Sequence, residues 1–293
     1  MDTFRDAWQS ALYGPDGFYR RNAPADHFRT SVHASPLFAT AMIRLAQRVG
    51  ATTVTDIGAG RCELAAQIEV QAPGLTVRSI ELDDELPERL SGLVIANEWL
   101  DNVPCEVAEL SSDGEPRYVL ADGNELGDVI DGNDLAWLEQ WWPLAEPGDR
   151  AEIGTTRDAA WAEVVRRLED GLAVAIDYGH TRDRRPPYGS LIGYAAGRVC
   201  APVPDGSCDL TAHVAVDAVA AAVGGVVQSQ RDVLQSLGIT AARPALDLAT
   251  SDPQRYVREL SAAGEAAELL DPAGLGGFAW ISCQPASGSP TPP

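Results

Sequence analysis

The chain has 293 residues, a formal net charge of −21 at pH 7 and 45% hydrophobic residues. That length and composition suit one large α/β domain, or one domain with a lobe, and argue against a disordered chain. The charge disfavours nucleic acid and anionic membranes as partners, and because all 22 basic residues are Arg, Schiff-base lysine chemistry is excluded.

Residues 1–35 are aromatic and turn-rich, with Tyr13-Gly-Pro-Asp-Gly-Phe-Tyr19 and then His27-Phe-Arg-Thr-Ser31. Ser35-Pro36 predicts a helix start, with Ser as the cap and Pro in the first turn. Leu37, Phe38, Ile43, Leu45 and Val49 supply its apolar stripe up to Gly50. A strand is expected at Val54 to Asp56, a helix at about Glu63 to Gln71 that stops at Ala72-Pro-Gly74, and a strand at Leu75 to Leu82. Leu93 to Ala96 is a buried strand ending at Asn97-Glu98. Glu106 to Leu120 alternates around Asp113-Gly114 as a hairpin. Trp137, Leu138, Trp141 and Trp142 read as packing. Ala159 to Glu169 is predicted helical and ended by Gly171, before the continuous apolar strand Leu172 to Ile176 of a parallel sheet covered on both faces. A helix over about Leu210 to Val223 with Asp209 as cap, a last strand at Phe278 to Cys283 and a disordered tail at 285–293 complete the pattern.

The five cysteines (Cys62, Cys105, Cys200, Cys208 and Cys283) form no C-x-x-C pair. Neither a disulfide framework nor a zinc site is indicated, and no metal is expected. Residues 1–8 lack an apolar signal core, and the apolar run from Val214 to Val227 is short and carries Asp217. A cytoplasmic protein with no membrane partner is expected.

Val54-Thr-Asp-Ile-Gly-Ala-Gly-Arg-Cys-Glu-Leu64 carries the chemistry. It is a strand, a tight Gly-rich turn and a helix start, the layout that binds nucleotide-like cofactors in doubly wound sheets. A dinucleotide fingerprint would put a glycine three residues after Gly60, where Glu63 stands. The shorter spacing suits S-adenosylmethionine (SAM): Gly58 and Gly60 let the backbone approach its methionine end, and the helix N-terminus can face its carboxylate. Three apolar strands end in acids: Asp56, Glu98 and Asp177. Glu98 and Asp101 would share a face in a helical turn and could grip a guanidinium, unless Asp101 only caps that turn. Asp177 and His180 leave their strand end together, with His180 as a base or an orienting group. Asp209 and Thr211 suit a helix start with His213 in its first turn. The four histidines, His27, His33, His180 and His213, all fall in polar, motif-like segments.

Together these segments resemble the MidA family of SAM-dependent methyltransferases, which includes the mitochondrial complex I assembly factor that methylates an arginine. The resemblance rests on Tyr13–Tyr19, Phe28–Ser31 with Ser35–Phe38, Asp56–Gly60, Ala96-Asn-Glu-Trp-Leu-Asp-Asn-Val-Pro104, Ile176-Asp-Tyr-Gly-His180 and Asp209–Val214, all collinear. It implies a Rossmann-like class I methyltransferase sheet with helices on both faces, SAM as methyl donor, and protein arginine as one substrate class. On this reading Asp56, Gly58 and Gly60 hold SAM, while Asn97, Glu98 and Asp101 line the transfer site. Asp177, His180 and one or both of His33 and His213 surround the substrate. Residues 1–50 form an N-terminal helical segment of the substrate lobe. The methyltransferase domain spans 51–284, with insertions at about 105–150, a β-hairpin among them, and 181–225.

Two features depart from the family pattern. Cys62 stands where a third glycine is usual. Only 33 residues separate Gly60 from Leu93, room for one helix and one strand, so one strand–helix unit is missing. The strand near Thr76 to Glu81 is then the usual second or the usual third. Either way it pairs beside the first, which puts Glu81, and after it Asp83, at the ribose. Two alternatives remain: a non-catalytic assembly or binding protein that has lost SAM with that unit, and a methyltransferase with a small-molecule acceptor instead of a protein substrate.

Overall fold

The computed structural model describes residues 2–22 and 30–285. His27, Phe28, Arg29 and the tail 286–293 lie outside the described residues. The chain divides into two compact units: Arg29–Asn97, Leu168–Ile176 and Val226–Pro293 form one, and Met1–Phe28, Glu98–Arg167 and Asp177–Gly225 form the other.

The first unit is built on a six-stranded sheet. Its strands are β1 (Thr53–Ile57), β2 (Thr76–Ile80), β3 (Leu90–Asn97), β4 (Leu168–Asp177), β5 (Val226–Ser229) and β6 (Ala279–Cys283), in the order β5-β6-β4-β3-β1-β2. β2, β1, β3 and β4 run parallel, and β5 pairs antiparallel with β6. Leu93 to Ala96 are all buried, because helices cover both faces of a parallel sheet and leave no side for polar alternation. Helix α1 (Pro36–Arg48) starts where Ser35 Oγ accepts the Leu37 N–H at 3.1 Å. It buries Phe38, Met42 and Leu45 in one core with Val54, Leu93, Ile95, Val174 and Ile176. Helix α2 (Glu63–Gln71) adds Leu64 and Ile68, one turn apart.

β2 pairs residue for residue with β1, from Thr53 with Thr76 to Ile57 with Ile80, and is the edge strand. The link from β2 to β3, residues 81–89, carries no helix. The short span therefore leaves out a strand–helix unit, as expected, and the end of β2 lies beside the end of β1.

Gly171 is not a helix stop. β4 begins at Leu168, and Gly171 lies inside it at φ +105°, paired with Gly92 of β3. A Cβ on Gly171 would sit 1.9 Å from the Gly92 carbonyl oxygen. The glycine permits a close backbone approach, and its sequence signal is the same as that of a helix terminus.

The second unit carries a four-stranded antiparallel sheet in the order Leu126–Val129, Pro116–Val119, Glu106–Leu110, Arg150–Ile153. The Asp113-Gly114 hairpin forms as expected, with Gly114 at φ +83°. The N-terminal segment is more helical than its turn residues suggest. Phe4–Tyr13 is a helix capped by Thr3 that buries Phe4, Trp8, Ala11 and Leu12 at helical spacing. The helix predicted from Leu210 starts only at Val216. Asp209–Thr211 is instead a strand paired with Ile192–Ala195, and Val214–Ala215 pairs in parallel with Gly179–His180. Strand pairing and long-range side-chain hydrogen bonds outweigh the local capping signal there. Among the described residues no helix is long and apolar enough to cross a membrane.

Candidate functional site

In the sheet unit, the chain leaves β1 through Gly58 (φ +67°) and Gly60 (φ +63°) and enters α2 at Cys62 (φ +63°). Two of these three left-handed positions are glycine; Cys62 adopts the third against its steric preference. The Gly58 N–H donates to the Ile80 carbonyl at 2.9 Å, which ties the turn to the end of β2. Glu81, the first residue past β2, is thereby brought to the turn, where the backbone N–H groups of Gly60 and Leu82 favour its carboxylate. Burial nonetheless holds the Glu81 carboxyl above its ordinary value. Glu63 accepts the Arg61 N–H at 2.9 Å through Oε2, and its Oε1 lies 3.3 Å from His33 Nε2. Thr30 Oγ1 holds the other ring nitrogen of His33 at 2.7 Å.

Asp56 is 4% exposed. Burial first, then the charges of Glu81 and Glu63, push its carboxyl up to about 7. Asp83 is exposed in the turn that follows Glu81, where the Asp84 carboxylate accepts the Glu81 N–H at 2.9 Å. Asn97 is the last residue of β3, paired with Ile176 of β4. The turn thus gathers Asp56, Glu63 and Glu81 around a glycine-lined backbone, an anionic cradle suited to a ligand that carries positive charge.

In the second unit, Glu98 follows Asn97 at φ +52°, a left-handed conformation rare for a residue with a side chain. A single 3₁₀ turn, Leu100–Asn102, comes after it, so Glu98 and Asp101 do not share a helical face. Asp101 is buried; its Oδ2 accepts the Thr211 hydroxyl at 2.6 Å and the Tyr178 hydroxyl. Its Oδ1 is buried with no hydrogen-bond partner among the described residues. The carboxylate of Asp177, the last residue of β4, accepts the N–H groups of Leu100 at 3.0 Å, Asp101 at 3.2 Å and Tyr178 at 3.0 Å. Burial, then the charges of Asp101 and Glu98, hold the Asp177 carboxyl well above its ordinary range. Burial also raises Asp101.

Arg157, 2% exposed, ties this turn to the 212–213 segment. It donates to the carbonyls of Asp101 (2.6 Å), Val103 (3.1 Å), Ala212 (3.1 Å) and His213 (3.0 Å). Asp209 accepts the Tyr19 hydroxyl at 2.9 Å and Asn102 Nδ2 at 3.2 Å, and the Tyr13 hydroxyl donates to the Asn102 carbonyl at 3.0 Å. The His213 ring stands edge to face with Tyr178 at 5.1 Å, and 6.2 Å from the ring of the buried His180. Among the described residues no group of three or more His, Cys, Asp or Glu is placed to hold a metal ion.

Arg157 and the roles of Tyr19, Tyr178 and Thr211 escaped the sequence reading. One signal was available: Arg157, Trp161 and Val164 fall at i, i+4 and i+7 on the buried stripe of the helix Thr155–Arg166. A charge on such a stripe must be fully satisfied.

The family model described as "Putative S-adenosyl-L-methionine-dependent methyltransferase" matches residues 75–233. A COG1565 superfamily member from Burkholderia thailandensis, whose crystal structure holds S-adenosyl-homocysteine, is 26% identical over 96% of this chain and 87% of its own, with a TM-score of 0.77. A native crystal structure of a COG1565 superfamily protein from the same organism is 27% identical over the same shares, with a TM-score of 0.76. No curated protein matches the chain. The chain belongs to this family of SAM-dependent methyltransferases, and SAM is its methyl donor.

Proposed function

We propose that this methyltransferase acts on a protein side chain, arginine, as the MidA-like motifs imply, and that it works in the cytoplasm. One observation carries the acceptor class. Beyond burial, the charges of Asp101 and Glu98 raise Asp177, and the buried Arg157, whose charge offsets them in part, places its N–H donors on backbone carbonyls. A guanidinium is the cation that relieves such a cluster through charge-assisted, bidentate hydrogen bonds.

We assign SAM to Asp56, Gly58, Gly60, Glu81 and Asp83. Three features support the fit. Asp56, Glu63 and Glu81 complement the ammonium and sulfonium charges. Gly58 and Gly60 hold the turn at positive φ and leave its backbone without projecting side chains. The first N–H groups of α2 suit a carboxylate. Glu81 would hold the ribose hydroxyls of bound SAM, with Asp83 beyond it. When bound, SAM supplies an electrophilic methyl group on sulfur. Asn97, Glu98 and Asp101 position the acceptor nitrogen for in-line attack, and positioning supplies most of the rate. The acceptor nitrogen gives up a proton on methylation. Glu98, the least enclosed of the three acids, takes that proton. Asp101 and Asp177 brace the turn; His33 in the sheet unit and His213 in the second unit are each assigned to the acceptor within its own unit.

Methyl-labelled SAM offered with arginine-containing peptides and with protein extract tests this. Label is expected on arginine after hydrolysis and amino-acid analysis. Label on small molecules alone would overturn the protein acceptor.

A further inference from the structure

His180 ends the Asp-Tyr-Gly-His run and is 8% exposed. Arg185 Nη1 lies 2.6 Å from its Nδ1 and 2.7 Å from its carbonyl oxygen. Arg185 is itself held by three further contacts. Nη2 donates to Asp217 Oδ1 at 2.5 Å, Nε donates to the Trp141 carbonyl at 3.0 Å, and the guanidinium lies over the Trp142 ring at 5.5 Å. Arginine offers donors and no acceptor. Nδ1 must therefore receive the Arg185 N–H with its lone pair, and the ring proton resides on Nε2. That atom is buried with no hydrogen-bond partner among the described residues. The ring stands edge to face with Trp142 at 4.6 Å. A buried N–H without an acceptor is rare in native proteins and asks for a functional explanation.

We propose that Arg185 fixes His180 as the Nε2–H tautomer, so that His180 serves the acceptor site as a hydrogen-bond donor to a carbonyl oxygen and is not the base. The inference rests on the protein-acceptor reading only in naming a peptide carbonyl as that oxygen. The charged surroundings agree. Burial first, then the charges of Arg185 and His213, push His180 down to about 3, while a backbone hydrogen bond and the charge of Asp217 oppose this. The ring is neutral at every pH at which the enzyme would work. The proton released on methylation leaves by way of Glu98.

The test is nitrogen NMR of the full chain labelled in histidine, with His180→Gln identifying the His180 signals. An unprotonated Nδ1 and a protonated Nε2, unchanged down to about pH 5, are expected from a midpoint of about 3. An Nδ1–H tautomer, or protonation with a midpoint near 6.5, would overturn the proposal. Arg185→Gln is expected to mix the tautomers and raise the midpoint; an unaltered His180 in a folded variant would remove Arg185 from the account. The wild-type spectrum decides the tautomer even if that variant fails to fold. In arginine-peptide methylation, His180→Gln keeps an N–H donor and is expected to hold KM. His180→Leu is expected to raise KM several-fold with the pH profile unmoved. A pH limb lost in His180→Leu would make His180 the base. A standing tautomer with no methylated arginine peptide would overturn the acceptor class alone.

Discussion

Exchanging Asp56 for Asn separates the cost of burying a charge from the service that charge gives. The Asp56 carboxyl moves from 3.8 in an open chain to about 7 in the folded protein, because burial and the charges of Glu81 and Glu63 all disfavour its ionised form. Between those two values the folded state keeps a proton that the unfolded state has released. Stability therefore falls as pH rises through that window and is level above it. At about 1.36 kcal/mol per pH unit the loss is about 4 kcal/mol. Asn keeps the shape and removes the charge. The Asp56→Asn protein should match the wild type near pH 4 and exceed it by up to about 4 kcal/mol at pH 8, read from urea unfolding across pH. SAM binding should respond in the opposite sense. A cation beside Asp56 favours the carboxylate, so binding near pH 7 releases a fraction of a proton and tightens as pH rises. The variant should bind more weakly and without that slope. Calorimetry in two buffers of different ionisation enthalpy counts the proton. A variant less stable than the wild type at pH 8, or wild-type binding with no proton released, would refute the electrostatic account of the turn.

Gly171→Ala should cost about 3 kcal/mol or more, or prevent folding, because its Cβ meets the Gly92 carbonyl at 1.9 Å and its φ of +105° disfavours a side chain; chemical denaturation measures it, and a neutral result would reject the strand pairing at this point. Arg157→Met removes a donor that four backbone carbonyls share, two of the bonds buried, and should lose about 3 kcal/mol in the same assay. Glu98→Gln combined with Asp101→Asn should abolish methyl transfer to the acceptor while calorimetric SAM affinity stays within about two-fold, a change of under about 0.5 kcal/mol; turnover that persisted would remove both acids from the transfer step.

The parts legible in the sequence are those set by local pattern. Asp56 followed by Gly58 and Gly60, the unbroken apolar runs at Leu93–Ala96 and Leu172–Ile176, and the Ser35-Pro36 cap each specify an element through neighbours a few residues away, and each forms. Where a residue has two local meanings, the sequence cannot choose between them. Gly171 reads equally as a helix stop or as a strand glycine, and the choice falls to Gly92, which lies 79 positions earlier and opposite it. Asp209 and Thr211 read as a cap, yet their side chains are committed to Tyr19 and Asp101, 190 and 110 residues away.

The acids beyond the sheet follow the same division, and it bears on function. Asp101 and Glu98 read as equivalent jaws of a clamp because spacing carries no information on burial. Folding makes them unequal. Asp101 is enclosed by Tyr178 and Thr211, whereas Glu98 sits in a left-handed conformation that only surrounding structure can hold. Strain of about 1–2 kcal/mol at a position that glycine would satisfy without cost implies that the side chain is needed there. Glu98→Gly should therefore leave the fold intact, or slightly stabilise it, while removing transfer. Asp101→Ala should weaken both fold and transfer, since it removes the carboxylate that accepts the Thr211 and Tyr178 hydroxyls. If Glu98→Gly instead kept full activity, the left-handed residue would be serving the backbone alone, and the proton leaving the acceptor would need another destination.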